Sequence, residues 1–328
     1  AIDRARSIRS EFPELYMAEG FYWYWGHLDY ERALYNLERA IAMMPGNDEA
    51  YMWHGWASRR AGKWEQARQS IQEALKLNPR VILNWQEFAL TDMWLHRYED
   101  ARASARQALA LDPENYRGRT ALSRIVLQES GDLQTATEMT DGAQNIDDRD
   151  AFEAFMDASM LARNFEEALK AARNVSGEME IQRNLIDLRE ARAAQILHYM
   201  GRSDDARQAA AAALFRLKGL RNELGEDFRV DLAEAMVRTI QGVGADAVRE
   251  LVQTSISSQP ADEVEKFRFK LEHARIFGIA GLAPEAIEIL EGILVPPSAT
   301  SLYTIELDPA FDAIRNNPEF IAMTERHR

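Results

Sequence analysis

The chain of 328 residues contains no cysteine, so it can form no disulfide, offer no thiol nucleophile and hold no cysteine-ligated metal. Its apolar runs fall far short of the roughly 20 residues needed to cross a bilayer, and its N-terminus lacks the charged-then-apolar pattern of an export signal. Basic residues are outnumbered, 39 against 53 acidic ones, and the formal charge of -14 opposes binding to nucleic acid or to an anionic membrane. Only six histidines occur, at 27, 54, 96, 198, 273 and 327, and no two are three or four residues apart, which excludes the helical zinc-protease spacing. No phosphate loop, dinucleotide fingerprint or Gly-x-Ser-x-Gly elbow is present. His54 reads as a core residue and His96 as a turn residue, and no metal site, cofactor or catalytic constellation is expected. Cysteine content does not separate cytoplasm from periplasm. A cytoplasmic location is the expectation, with the periplasm an alternative. The chain starts at Ala1 rather than Met, so a longer parent polypeptide is expected.

What is present is repetition. Pro45, Pro79 and Pro113 are each 34 residues apart, closing the phrases AIAMMPGN, ALKLNPRV and ALALDPEN. Ala33, Ala67 and Ala101 keep the same spacing, as do Ala40, Ala74 and Ala108. A fixed period of this length signals a repeat architecture in which each unit buries its apolar face only against its neighbours. Within a period, EAYMWHGWASRRAG carries apolar residues at helical spacing up to Gly62, and KWEQARQSIQEALKLNP supplies a second helix ending near Pro79. Each repeat is therefore a helical hairpin, and its alanines let the two helices approach closely. Beyond Pro113 the landmarks continue as Ala136, Ala168, Ala206, Ala247 and Ala286, stepping by 35, 32, 38, 41 and 39 residues from Ala101. About eight hairpins are predicted.

This pattern resembles the tetratricopeptide repeat, with Gly55, Gly62, Ala67, Ala74, Pro79 and Trp85 where that family places its signature residues. The resemblance implies an all-α right-handed superhelix over residues 1–300, regular over 14–113 and degenerate over 114–300. A short helical cap over 301–328 closes it. There, Asp308-Pro309 and Asn317-Pro318 each pair an N-cap with a proline at the first helical position, and Phe311, Ile314, Phe320 and Ile321 are expected to cover the last hairpin. The closing LDPAFDAIRNNPEF is similar to the end of tetratricopeptide regions in multidomain bacterial signalling proteins. That group includes cyclases, kinases and membrane-bound transcriptional regulators.

One stretch resists the bland reading. GFYWYWGHLDYERA sets five aromatics side by side, and at roughly 100° per residue on an α-helix they cannot all enter one core. Phe21 and Tyr24 fall on the buried stripe, as do Trp64 and Trp85 in their own repeats, whereas Trp23 is undecided. The family resemblance places first helices along a concave groove, whose lining here is Tyr22, Trp25, Met52, Trp56, Arg59, Gln86, Leu90 and Met93. Aromatics and methionines there suit an apolar partner, and the absence of the lysine and asparagine set of chaperone-binding relatives argues against a carboxylate-clamp ligand. The leading expectation is a non-catalytic module binding a protein or peptide segment in this groove. The alternative is a sensory or regulatory region of a larger signalling protein whose output domain lies outside this chain. Packing of the groove by the chain itself, or a small apolar ligand, also fits these residues. The sequence leaves oligomeric state open.

Overall fold

The computed structural model describes residue 4 and residues 11–175, 180–181, 185–257 and 262–328. Eighteen α-helices lie among the described residues, and no strand does. They pair in chain order as eight hairpins: α1 Pro13–Phe21 with α2 Tyr30–Met43, α3 Asp48–Arg60 with α4 Trp64–Leu77, α5 Ile82–Trp94 with α6 Tyr98–Leu111, and α7 Tyr116–Ser130 with α8 Leu133–Thr140. Then come α9 Arg149–Leu161 with α10 Phe165–Asn174, α11 Arg189–Tyr199 with α12 Ser203–Leu224, α13 Phe228–Ile240 with α14 Ala245–Ser257, and α15 Glu263–Ile279 with α16 Ala283–Ile293. The short α17 Leu302–Leu307 and α18 Pro318–Arg326 complete the chain.

The alanine landmarks have a common structural address. In seven of the eight second helices the fourth residue is alanine: Ala33, Ala67, Ala101, Ala136, Ala168, Ala206 and Ala286, none more than 1% exposed. In α14 the fourth residue is Val248, 1% exposed, and Ala247 faces solvent. The landmark expected at Ala247 is thus displaced by one residue, because the turn Gly242-Val243-Gly244 delays the start of α14.

A second periodic feature sits between the helices of each pair. One residue per hairpin adopts the left-handed conformation: Leu28, Gly62, His96, Gly131, Arg163, Gly201, Gly242 and Gly281. This single residue reverses the chain, and five of the eight positions use glycine, which has no Cβ to strain there. His96 is accordingly a turn residue, stacked 5.3 Å from the Tyr98 ring. His54 is buried, with its Nδ1 2.8 Å from Ser70 Oγ.

The chain forms two compact units, Ala1–Ile125 with Pro260–Lys266, and Val126–Gln259 with Phe267–Arg328. In the first unit, successive helices from α1 to α6 pack on one another. Their core runs through Leu34, Leu37, Ile71, Leu75 and Phe88.

The second unit is laced by its own C-terminal segment. Gln128 Nε2 donates to the Ala299 carbonyl at 2.5 Å, Arg163 grips Asp312 through two bonds of 2.8 Å, and Arg275 Nε donates to Asp308 at 2.8 Å. Asp308 also caps the 3-10 turn Pro309–Phe311 through the Ala310 amide, and Asn317 caps α18 through the Glu319 and Phe320 amides. Phe311, Ile314 and Phe320 are buried as expected, but Ile321 is 44% exposed and Met323 takes its place inside. The spacing from Phe320 to Met323 is one helical turn, which Ile321 cannot match.

Candidate interaction surface

The aromatic stretch folds as it does because of one extra residue. Gly20 and Gly55 are equivalent: a Cβ on Gly20 would lie 2.7 Å from Leu37, and one on Gly55 would lie 2.6 Å from Ile71. From Gly55 to the left-handed Gly62 is seven residues (62 − 55), but from Gly20 to the left-handed Leu28 it is eight (28 − 20). The first helix absorbs the insertion as a π-helix over Tyr22–His27, continuing α1. A π-turn widens the helix and rotates side chains off the 3.6-residue pattern, and such turns recur at functional sites.

The consequence is a divided aromatic cluster. Tyr24 is buried, and Phe21 packs 4.3 Å from the Trp53 ring. Trp23 is half-buried beneath the Arg32 guanidinium, 4.4 Å from its ring centroid. Tyr22 and Trp25 project outward, 48% and 54% exposed. Tyr22 stacks edge-on against Trp23 and His27 at 5.3 and 4.5 Å. Trp25 meets Trp53 at 6.2 Å, and Trp53 meets Trp56 at 4.7 Å, so a chain of rings runs from α1 onto α3. Trp53, absent from the expected groove lining, is the ring that joins Trp25 to Trp56. Its i,i+3 spacing from Trp56 is the signal that could have found it.

The remaining expected lining residues are less open. Met52 lies in the core with Ile71, Leu75 and Phe88. Met93 and Gln86 are buried, and Leu90 and Trp56 are half-buried. Arg59 is spent internally, paired with Glu87 and donating to Thr91 Oγ1 at 3.4 Å, and Gln86 Oε1 accepts from Arg117 at 3.3 Å. Exposed apolar surface on the expected wall is thus concentrated at the π-turn.

Beside the platform lies a polar cluster with contributions from far along the chain. Arg60 Nε donates to the Tyr24 hydroxyl at 2.9 Å, and Arg60 Nη1 donates to Asp262 Oδ2 at 2.7 Å and Glu265 Oε1 at 3.0 Å. The Tyr30 hydroxyl donates to the same Asp262 oxygen. Burial pushes both tyrosine hydroxyls up from their usual range. Burial opposes the Arg60 charge, and Tyr24, Asp262 and Glu265 outweigh it, holding the guanidinium protonated. Among the described residues there is no group of three or more His, Asp or Glu side chains able to hold a metal ion, and no helix long and apolar enough to cross a membrane.

Comparison with known families agrees with this architecture. A family model described as anaphase-promoting complex, cyclosome, subunit 3 matches residues 26–108, and the tetratricopeptide repeat model matches residues 88–139. Residues 26–139 thus match tetratricopeptide-type repeat models, and the later hairpins repeat the same helix–turn–helix plan. The first match falls on the regular repeats, and the second runs from them into the hairpin after Pro113. Among solved structures, the type IV pilus biogenesis factor PilW is similar at 18% identity, with a TM-score of 0.50 over 61% of this chain and 91% of that one. A tetratricopeptide repeat protein from Parabacteroides merdae is 17% identical, covering 74% of this chain and 98% of its own, with a TM-score of 0.46. The Cut9–Hcn1 hetero-tetramer of the anaphase-promoting complex is 15% identical, over 83% of this chain and 45% of that one, with a TM-score of 0.47. At 18% identity the likeness to PilW is one of fold. No curated protein matches the chain.

Proposed function

We propose that the chain is a non-catalytic protein–protein interaction module, and that it takes its partner on the aromatic platform of the first unit. The observation that carries this is the outward projection of Tyr22 and Trp25 from a π-turn whose neighbouring rings are packed. Tyr and Trp are rigid, amphipathic side chains that recur as interface anchors, because each buries a large area while losing few rotamers. Trp53 and Trp56 continue the platform onto α3 and hold Trp25 in place. The partner is a protein segment presenting apolar side chains, and burial at about 25 cal/mol per Å² supplies the driving force. Ordering that segment offsets much of the gain, so moderate affinity is expected.

Affinity measurement with any partner recovered from the native host tests the reading. Replacing Tyr22 and Trp25 together by alanine removes two anchors, each worth about 2 kcal/mol if central, and should weaken binding by more than about 100-fold. The same change at Phe215, which is 81% exposed on α12 of the second unit, should leave it unchanged. Full affinity in the Tyr22/Trp25 double variant would reject the platform.

A further inference from the structure

The Tyr24, Tyr30 and Arg60 cluster contains a contact between residues 202 positions apart in the sequence, Arg60 and Asp262. Its two carboxylates, Asp262 capping α15 and Glu265 in the first turn, are almost wholly buried, Asp262 at 1% and Glu265 at 3% exposure. Asp262 serves two ends at once. Its Oδ1 caps α15 by accepting the Val264 and Glu265 amides at 3.0 and 3.1 Å, and its Oδ2 accepts from Tyr30 and Arg60. The neighbouring Glu263 brings its stem against the turn glycine, where a Cβ on Gly62 would lie 3.1 Å from Glu263 Cγ. The recognition of the two carboxylates is polar: the Tyr30 hydroxyl and the Arg60 guanidinium donate to them, and the Tyr24 hydroxyl orients Arg60 by accepting from its Nε.

We propose that Tyr24, Tyr30 and Arg60 form a receptor for an acidic helix start of the form Asp-x-x-Glu, filled in cis by Asp262 and Glu265. Three features support a docking site over ordinary core. Tyr24, Tyr30 and Arg60 sit on the π-turn, α2 and α3, and the acceptors arrive from a helix start about 200 residues later whose own cap is made by Asp262 Oδ1 within that helix. The contact is made by charge-assisted hydrogen bonds with fixed geometry, which specify a ligand more sharply than apolar packing does. The Arg60 side chain keeps 26% exposure, so its far side remains open to water while its near side is committed. A tethered ligand acts at a high effective concentration, and an incoming acidic segment has to displace it. The site is distinct from the exposed rings of Tyr22 and Trp25, so either reading can fail alone.

The test uses the full chain with Asp262→Asn and Glu265→Gln together, which keeps side-chain shape and retains a residue suited to capping α15. The probe is an N-acetylated fluorescent peptide of residues 262–270 with the original carboxylates, followed by anisotropy. Saturable binding is expected to the disarmed chain, at least about ten-fold weaker to the unaltered chain, and lost when Arg60→Gln is added. Tyr22→Ala should leave it unchanged. If Arg60→Gln does not fold by circular dichroism, Arg60→Lys replaces it and should weaken binding, because lysine has no Nε–H to hold the Tyr24 hydroxyl while its ammonium reaches the carboxylates. No saturable binding to the disarmed chain into the millimolar range overturns the proposal. So does equal binding to the disarmed and unaltered chains, or binding indifferent to Arg60.

Discussion

Gly55→Ala isolates the close approach on which the repeat depends. A methyl group there would sit 2.6 Å from Ile71 Cγ1, 3.2 Å from Cδ1 and 3.3 Å from the Ala67 carbonyl. Ile71 is fully buried and in one cluster with Met52, Leu75 and Phe88, so it has nowhere to move. Alanine in a helix interior gains about 0.8–1 kcal/mol over glycine, but overpacking a filled core costs about 1–3 kcal/mol. With Ile71 immobile the upper half of that range applies, leaving a net loss of about 1–2 kcal/mol. Gly219, in α12, is the control, because nothing lies within 4 Å of a Cβ built on it. There only the propensity acts, and Gly219→Ala should stabilise by about 0.8–1 kcal/mol. The seven tryptophans all lie between residues 23 and 94, so their fluorescence reports on the first unit alone. With a urea slope of about 1–3 kcal/mol per molar, Gly55→Ala should lower the fluorescence midpoint by roughly 0.3–2 M. Far-UV circular dichroism follows Gly219→Ala. Equal stabilisation by both substitutions would refute the close-approach argument.

Other outcomes follow from single side chains. His273 is 2% exposed, and burial pushes its pKa down to about 4. The unfolded chain, with a histidine pKa of about 6.5, binds more protons between those values. This histidine's contribution is therefore complete above pH 6.5, falls as the pH drops toward 4, and totals about 3 kcal/mol. Urea midpoints measured from pH 7.5 to 4.5 should slope less steeply in His273→Gln than in the unaltered chain. Phe311→Ala removes a fully buried ring from the C-terminal lacing and should destabilise the second unit by about 3–5 kcal/mol, read by circular dichroism. Leu28→Gly relieves a left-handed leucine with φ of 55°, and should raise the fluorescence midpoint by an amount equivalent to up to about 1 kcal/mol after the glycine's extra unfolded-state entropy is deducted.

The hairpin count and most buried positions were legible because small residues and turns recur wherever two helices meet. Seven alanine landmarks fall at the same place in their second helices, and the paired caps at Asp308 and Asn317 act as their side chains suggest. Ala247 misled because alanine identity was followed where helix register decides, and α14 starts one residue late. The platform was half legible. An α-helical wheel separates Tyr24 from Tyr22 and Trp25, but it assumes a constant rotation that the inserted residue in α1 breaks. It does carry a sign of Trp53, whose i,i+3 spacing from Trp56 puts the two rings on one face of α3. Met52 shows the limit of the wheel from the other side, since a flexible thioether follows the nearest core. The docking of Asp262 on Arg60 had no local signature at all, because a contact across 202 residues leaves no periodic trace.

The most direct test of the central claim, that the π-turn displays the recognition surface, is photocrosslinking from a benzophenone amino acid placed at position 22 and, separately, at position 215. Both sites are exposed aromatics, but only the first lies on the platform. In the native host the account predicts a discrete protein adduct from position 22, lost when Trp25→Ala is added, and none from position 215. An adduct from position 215 with none from position 22 would contradict it.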